Sequence, residues 1–225
     1  MSALRLGALL ATLMLFAACG STRAPPDWQM NANASLERAV AAYLEGNQRL
    51  EALEFARARS DVSRTGRADL LARVELTRCA ARVASLEFDE CPAYVLLAVD
   101  AGPAERAYAA FLAGRHSASD VALLPAAYRG VAAGAITSEA LGRIEDPLSR
   151  LVVAGVLMRD AGELPGLAEL ATATASGQGW RRPLLAWLEV RARRADAAGE
   201  SLEAQRLRRR IGVVLGKASE GAASR

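Results

Sequence analysis

From Ala34 to Lys217 the chain repeats its apolar residues at helical spacing and almost nowhere alternates them. Leu36, Ala39, Val40, Tyr43 and Leu44 set the pattern at i, i+3, i+4, i+7 and i+8, one stripe of an amphipathic helix. Ala, Leu, Arg and Glu, all strong helix formers, dominate the composition. β-Branched residues cluster mainly at Leu151-Val152-Val153 and Ile211-Gly212-Val213-Val214. An all-α domain is therefore expected over residues 34–217. Its helices are predicted over 35–46, 48–64, 67–86, 94–99, 103–114, 121–133, a short stretch from Thr137 that Pro147 ends, 148–161, 164–175, 180–198 and 201–215. Glycines stand near many of these ends, as C-cap chemistry prefers.

Within this run lies an internal repeat. Residues 37–47 read ERAVAAYLEGN and residues 105–115 read ERAYAAFLAGR, with Tyr43 replaced conservatively by Phe111. The offset of 68 is twice 34, the period of tetratricopeptide repeats. Ala39, Tyr43, Gly46, Asn47, Ala52 and Leu53 also resemble that family's helix–turn–helix unit, in which a ring on one helix packs on a small residue of the next. The first unit departs from the pattern in lacking a closing Pro, and Phe55 comes one place early. The resemblance implies antiparallel helical hairpins stacked as an array with a concave face for peptides or proteins. An irregular helical bundle is the alternative.

Ahead of the helices the chain has an export signature. Arg5 is followed by the uncharged run Leu6 to Ala18, the layout of a secretory leader. Thirteen helical residues span about 20 Å, short of the roughly 30 Å of a bilayer core. The run ends in Leu15-Phe16-Ala17-Ala18-Cys19-Gly20-Ser21, which resembles the lipobox of bacterial lipoproteins, with Phe16 where the family usually has Leu, Val or Ile. The resemblance implies a signal peptide over residues 1–18, cleavage before Cys19 and acylation of Cys19. Gly20 after the cysteine implies sorting to the outer membrane, where acyl chains on Cys19 hold the protein facing the periplasm. An ordinary signal peptide that happens to end near a cysteine is the alternative. Residues 19–33, with Pro25-Pro26, are expected to form a lipidated, flexible tether on which Trp28 docks against the first helices, and residues 218–225 a frayed tail.

Export sets the redox context. Cys79 and Cys91 are the two remaining cysteines, and an even pair in an oxidising compartment favours a disulfide. Two buried, unpaired thiols are the competing reading. The chain holds 28 Lys and Arg against 25 Asp and Glu, and only Lys217 is a lysine. The excess is concentrated in residues 180–225, which carry 11 basic and 5 acidic residues, or +6. Arg181-Arg182, Arg191/Arg193/Arg194 and Arg208-Arg209-Arg210 can meet anionic headgroups or an acidic partner, or form a solvated helix face. Nucleic acid does not fit behind an export signal.

Catalytic and cofactor chemistry leaves little trace. His116 is the single histidine, which removes two-histidine metal sites, and no GxSxG, GxxxxGK[ST] or GxGxxG motif occurs. Gly177-Gln178-Gly179-Trp180 lies between two predicted helices and reads as a loop. Glu200-Ser201 is similar to the start of a lytic-transglycosylase motif, but the Gly-Leu-Met-Gln turn that should follow is absent, and aromatic residues are only 5% of the chain. Glu87, Asp89 and Glu90 form an acidic cluster without a Ca²⁺-loop geometry. The expectation is thus a lipid-anchored protein without cofactor, metal or catalytic residue, acting through a protein partner. A peptidoglycan- or lipid-acting enzyme and a surface-binding spacer are its rivals.

Overall fold

The computed structural model describes residues 24–134, 137–160 and 164–217. The signal peptide, Cys19 and the tail 218–225 lie outside the described residues. Within them the chain is all-α, with no strand. Eleven α-helices and one 3-10 segment follow in order: α1 Asp27–Glu45, α2 Gln48–Ser63, α3 Ala68–Ala84, α4 Pro92–Val95, α5 Pro103–Leu112, the 3-10 segment Ala118–Leu123, α6 Ala126–Ala132, α7 Ser138–Gly142, α8 Pro147–Asp160, α9 Leu167–Gly177, α10 Arg181–Ala197 and α11 Ser201–Val214.

Two boundaries differ from expectation for identifiable reasons. Residues 27–33, expected to be tether, are the first turns of α1. Pro26, at φ −63° and ψ 149°, sets an extended N-cap, and Asp27 places a carboxylate in the first turn, where the helix dipole favours it. Trp28 then packs beside Ala32, Phe55, Ala58 and Val62, so burial rather than intrinsic propensity carries this end. The single helix expected over 121–133 is two elements. Pro125 forbids helical backbone at Leu124, which sits at φ −71° and ψ 153°.

The two copies of the repeat adopt the same local structure. Each ends in a left-handed glycine, Gly46 and Gly114. Each closes with matching amide bonds, from Asn47 to the Ala42 carbonyl and from Arg115 to the Ala110 carbonyl, both 2.8 Å. Ala39, Tyr43 and Leu44 are buried, as are Ala107, Phe111 and Leu112. The surroundings diverge after the turn. Asn47 accepts a hydrogen bond from the Leu50 amide and starts α2 at once, making an antiparallel hairpin. Arg115 instead leads through His116 into the 3-10 segment.

Hairpins recur at the other end of the chain, where α8, α9, α10 and α11 pack in succession. Contacts also join elements distant in sequence: α3 packs on α8 and α5, and α10 returns onto α1. In an open repeat array each unit touches only its neighbours. Here α3 is a hub instead, in the manner of a helical bundle. Gly155 of α8 makes this possible, because an added Cβ there would lie 2.2 Å from the Val83 carbonyl oxygen of α3. Trp187 of α10 is fully buried and donates its indole N–H to the Ala84 carbonyl at 3.1 Å. No helix among the described residues is long and apolar enough to cross a membrane.

Candidate functional site

The parallel course of α1 and α3, with the start of α8 and the α9–α10 turn laid across them, leaves an open apolar groove. Its volume is about 500 Å³, within the range of ligand-sized clefts. Leu36, Val40 and Leu44 recur every four residues along α1, and Ala41, Pro147, Leu148 and Trp180 complete the apolar lining. Asn33 and Glu37, one turn apart on α1, form one rim; Asp146 and Gln178 bring polar groups from other elements. Near Asn33, Leu36 and Thr77 the groove continues into a second hollow of about 370 Å³ that reaches Trp28.

Trp180 is in the groove because of the turn before it. Gly179 is left-handed at φ 69°, and the Trp180 amide closes onto the Ala175 carbonyl at 3.0 Å. The Gly-rich segment is therefore a helix-ending turn, as expected of a loop, and its product is the half-buried indole that follows. The chain's pattern signals a turn at this point but carries no sign that its tryptophan packs on the cluster of Tyr43, Leu44 and Ala81.

A second cluster joins α1, α3 and α10. The Arg182 guanidinium lies over the Tyr43 ring at 4.4 Å, donates to the Tyr43 carbonyl at 2.9 Å and pairs with Glu87 at 3.3 Å. Burial pushes the Tyr43 phenol far above its ordinary value and the Glu87 carboxylate adds to this, so the ring stays neutral. Arg82 pairs with Asp89 at 3.0 Å and with Glu87 at 3.5 Å, and Glu90 faces Arg115 and Arg159 at 3.5 and 3.2 Å. The acidic cluster over 87–90 is thus occupied by four arginines and clasps the 86–91 loop to the helices.

That loop carries Cys91. The chain reverses at Leu86, which is left-handed at φ 59°, and the Glu87 amide closes onto the Arg82 carbonyl. Cys91 returns to Cys79 on α3 at disulfide distance, with 5.9 Å between their Cα atoms. Asp89 lies close to both, within 4.8 Å by ligand atoms, and accepts from the Cys91 amide at 3.1 Å. Its pairing with Arg82 opposes a cation at that point.

Four buried glutamates had no signal in the helical pattern: Glu51, Glu54, Glu75 and Glu105 are each at most 9% exposed. Each has a more exposed arginine as its partner. Arg78 reaches Glu51 at 3.1 Å, Arg73 reaches Glu105 at 2.5 Å, Arg59 pairs with Glu75, and Arg38 and Arg57 both hold Glu54. At Glu54 burial raises the carboxyl's pKa, but the hydrogen bond and charge of Arg38 and those of Arg57 outweigh it and leave the pKa below its ordinary value. These pairs tie α1, α2, α3 and α5 together. His116 packs its ring edge-on against Phe111, centroids 5.4 Å apart, beside the end of α5. Glu200 stands at the N-cap of α11, on the exposed α10–α11 turn. No protein-family model, no curated protein and no solved structure matches the chain.

Proposed function

We infer that the protein is a periplasm-facing lipoprotein, held to the outer membrane through acyl chains on Cys19, whose helical domain acts as a scaffold or adaptor for another protein. The observation that carries the scaffold reading is the apolar groove along α1, open to solvent and lined by Leu36, Val40, Leu148 and Trp180. A partner's apolar side chains seated in the groove would take its lining out of water, which favours association. The lipobox-like sequence before Cys19 supports the anchor. It lies eight positions ahead of Asp27, so the intervening chain reaches at most about 29 Å. The groove is then held near the leaflet, where an envelope protein in assembly would pass. The tetratricopeptide-like repeat unit supports the same role, since such hairpins commonly bind peptides.

Two experiments separate anchor from scaffold. Cys19→Ala should abolish acyl labelling and release the domain from the membrane fraction after cleavage of the leader; undiminished acyl labelling refutes the anchor. In-situ crosslinking from Val40 should trap one reproducible envelope protein. The absence of any protein adduct, with the groove accessible to a small thiol or diazirine probe, refutes the scaffold.

A further inference from the structure

The groove has a charge as well as a shape. Among the described residues its lining includes two carboxylates, Glu37 from α1 and Asp146 ahead of α8, and no Lys, Arg or His. The other hollows described here each have arginine in their lining, and the acidic cluster over 87–90 is covered by arginine. Both carboxylates are exposed, and among the described residues neither has an ion-pair partner. Among the described residues the Asp146 carboxylate accepts only the Ser149 amide, at 2.7 Å, as the cap of α8.

We propose that this groove binds a basic amphipathic helix of a partner protein, with its apolar face on Leu36, Val40, Leu44, Leu148 and Trp180 and its cations on Glu37 and Asp146. The inference deepens the scaffold reading and rests on it. Length supports a helix: from Asn33 to Leu44 the lined part of α1 covers about 16 Å, three helical turns, and the basic occupant stops there, because the hollow toward Trp28 is lined by Arg67 and Arg73. Apolar side chains at i, i+3, i+4 and i+7 match a groove whose own apolar residues repeat every four. Charge selects the polar side of the occupant. A fatty acid or anionic lipid would set its headgroup beside two carboxylates, whereas Lys or Arg gains an ion pair at each rim.

The test uses the full chain in nanodiscs of zwitterionic phosphatidylcholine, with empty discs subtracted. The probe is a fluorescein-labelled Leu/Lys amphipathic helix of about four turns, beside its Leu/Glu counterpart. Expected results are saturable binding of the Leu/Lys helix alone, a change in tryptophan emission that Trp180→Phe removes, and weakening at higher salt. The double variant Glu37→Gln/Asp146→Asn should bind about tenfold more weakly, as two exposed ion pairs would supply. Equal binding of both helices, or unchanged affinity in that variant, overturns the charge assignment. Displacement of the Leu/Lys helix by dodecanoate at equal concentration overturns it in favour of an acyl ligand. Self-association lost in the double variant overturns it in favour of a second copy. If the in-situ crosslink from Val40 succeeds while the Leu/Lys helix fails to bind, the scaffold stands and the basic-helix inference falls.

Discussion

Gly155 offers the sharpest test of how the bundle is held together. It sits mid-way along α8, buried against α3, and a Cβ added there would lie 2.2 Å from the Val83 carbonyl oxygen and 2.8 Å from its carbon. Both obstacles are backbone, so no side chain can swing aside. Two effects compete in Gly155→Ala. Alanine gains about 0.8–1 kcal/mol of helix propensity over glycine. Overpacking a close contact costs about 1–3 kcal/mol, and a backbone clash falls at the upper end. The net expectation is a loss of about 2 kcal/mol, or a melting temperature lowered by roughly 4–8 °C for a domain of this size. Gly212 in α11 is the matched control, since a Cβ there meets nothing within 4 Å. Gly212→Ala should keep the propensity gain and stabilise by up to about 1 kcal/mol. Urea unfolding followed by far-UV circular dichroism reads both midpoints with a shared slope. If Gly155→Ala raises the midpoint as Gly212→Ala does, α3 and α8 are not in backbone contact and the reasoning fails. The same contact sets one wall of the groove, because Thr77 belongs to α3 and Leu148 to α8. Gly155→Ala should therefore also alter Trp180 emission.

Further outcomes follow from the cysteine pair and from the buried carboxylates. Protein taken from the native envelope and alkylated in denaturant should show Cys79 and Cys91 blocked until reduced. Reduction should lower stability by about 3 kcal/mol for a sequence separation of 12, and free thiols before reduction refute the bridge. Glu54 has a folded-state pKa below its ordinary value, so its contribution is present above the unfolded pKa and is lost as pH falls through the folded one. The urea midpoint should thus fall on acidification below the ordinary glutamate range, and Glu54→Gln should flatten that fall. An unchanged slope in the variant would remove Glu54 from the acid response.

Much of the helical order was legible because it rests on local rules. The apolar stripe from Leu36 to Leu44, the Gly46-Asn47 turn and the Pro103 start of α5 each need only a few neighbouring residues. Trp28 was expected on the first helices, and it is there. Count and compartment favour a Cys79–Cys91 pair, and the turn at Leu86 brings the two to disulfide distance. The errors have local causes too. α1 begins at Asp27 rather than near Ser35 because Pro26 caps it there and Trp28 is held against its neighbours, and Pro125 breaks the otherwise helical run 121–133.

The groove was less legible, for a different reason. Leu36, Val40 and Leu44 read as an ordinary core stripe, and nothing nearby in the chain shows that Leu36 and Val40 remain half-open beside Leu148 and Trp180. Glu51, Glu54, Glu75 and Glu105 likewise look like solvated helix residues. Their burial depends on which helix lies across them and on arginines that arrive from other elements.

By itself, then, the sequence determined the all-α class, most helix boundaries, the turn at each copy of the repeat and the motif on which the anchor at Cys19 is proposed. These are short-range matters of period, capping and backbone freedom. Tertiary structure decided that α10 returns onto α1, that α8 meets α3 at Gly155, and that one apolar strip remains uncovered between them. Which helices meet depends on the fit of whole surfaces brought together over long stretches of chain, and no local pattern encodes that fit.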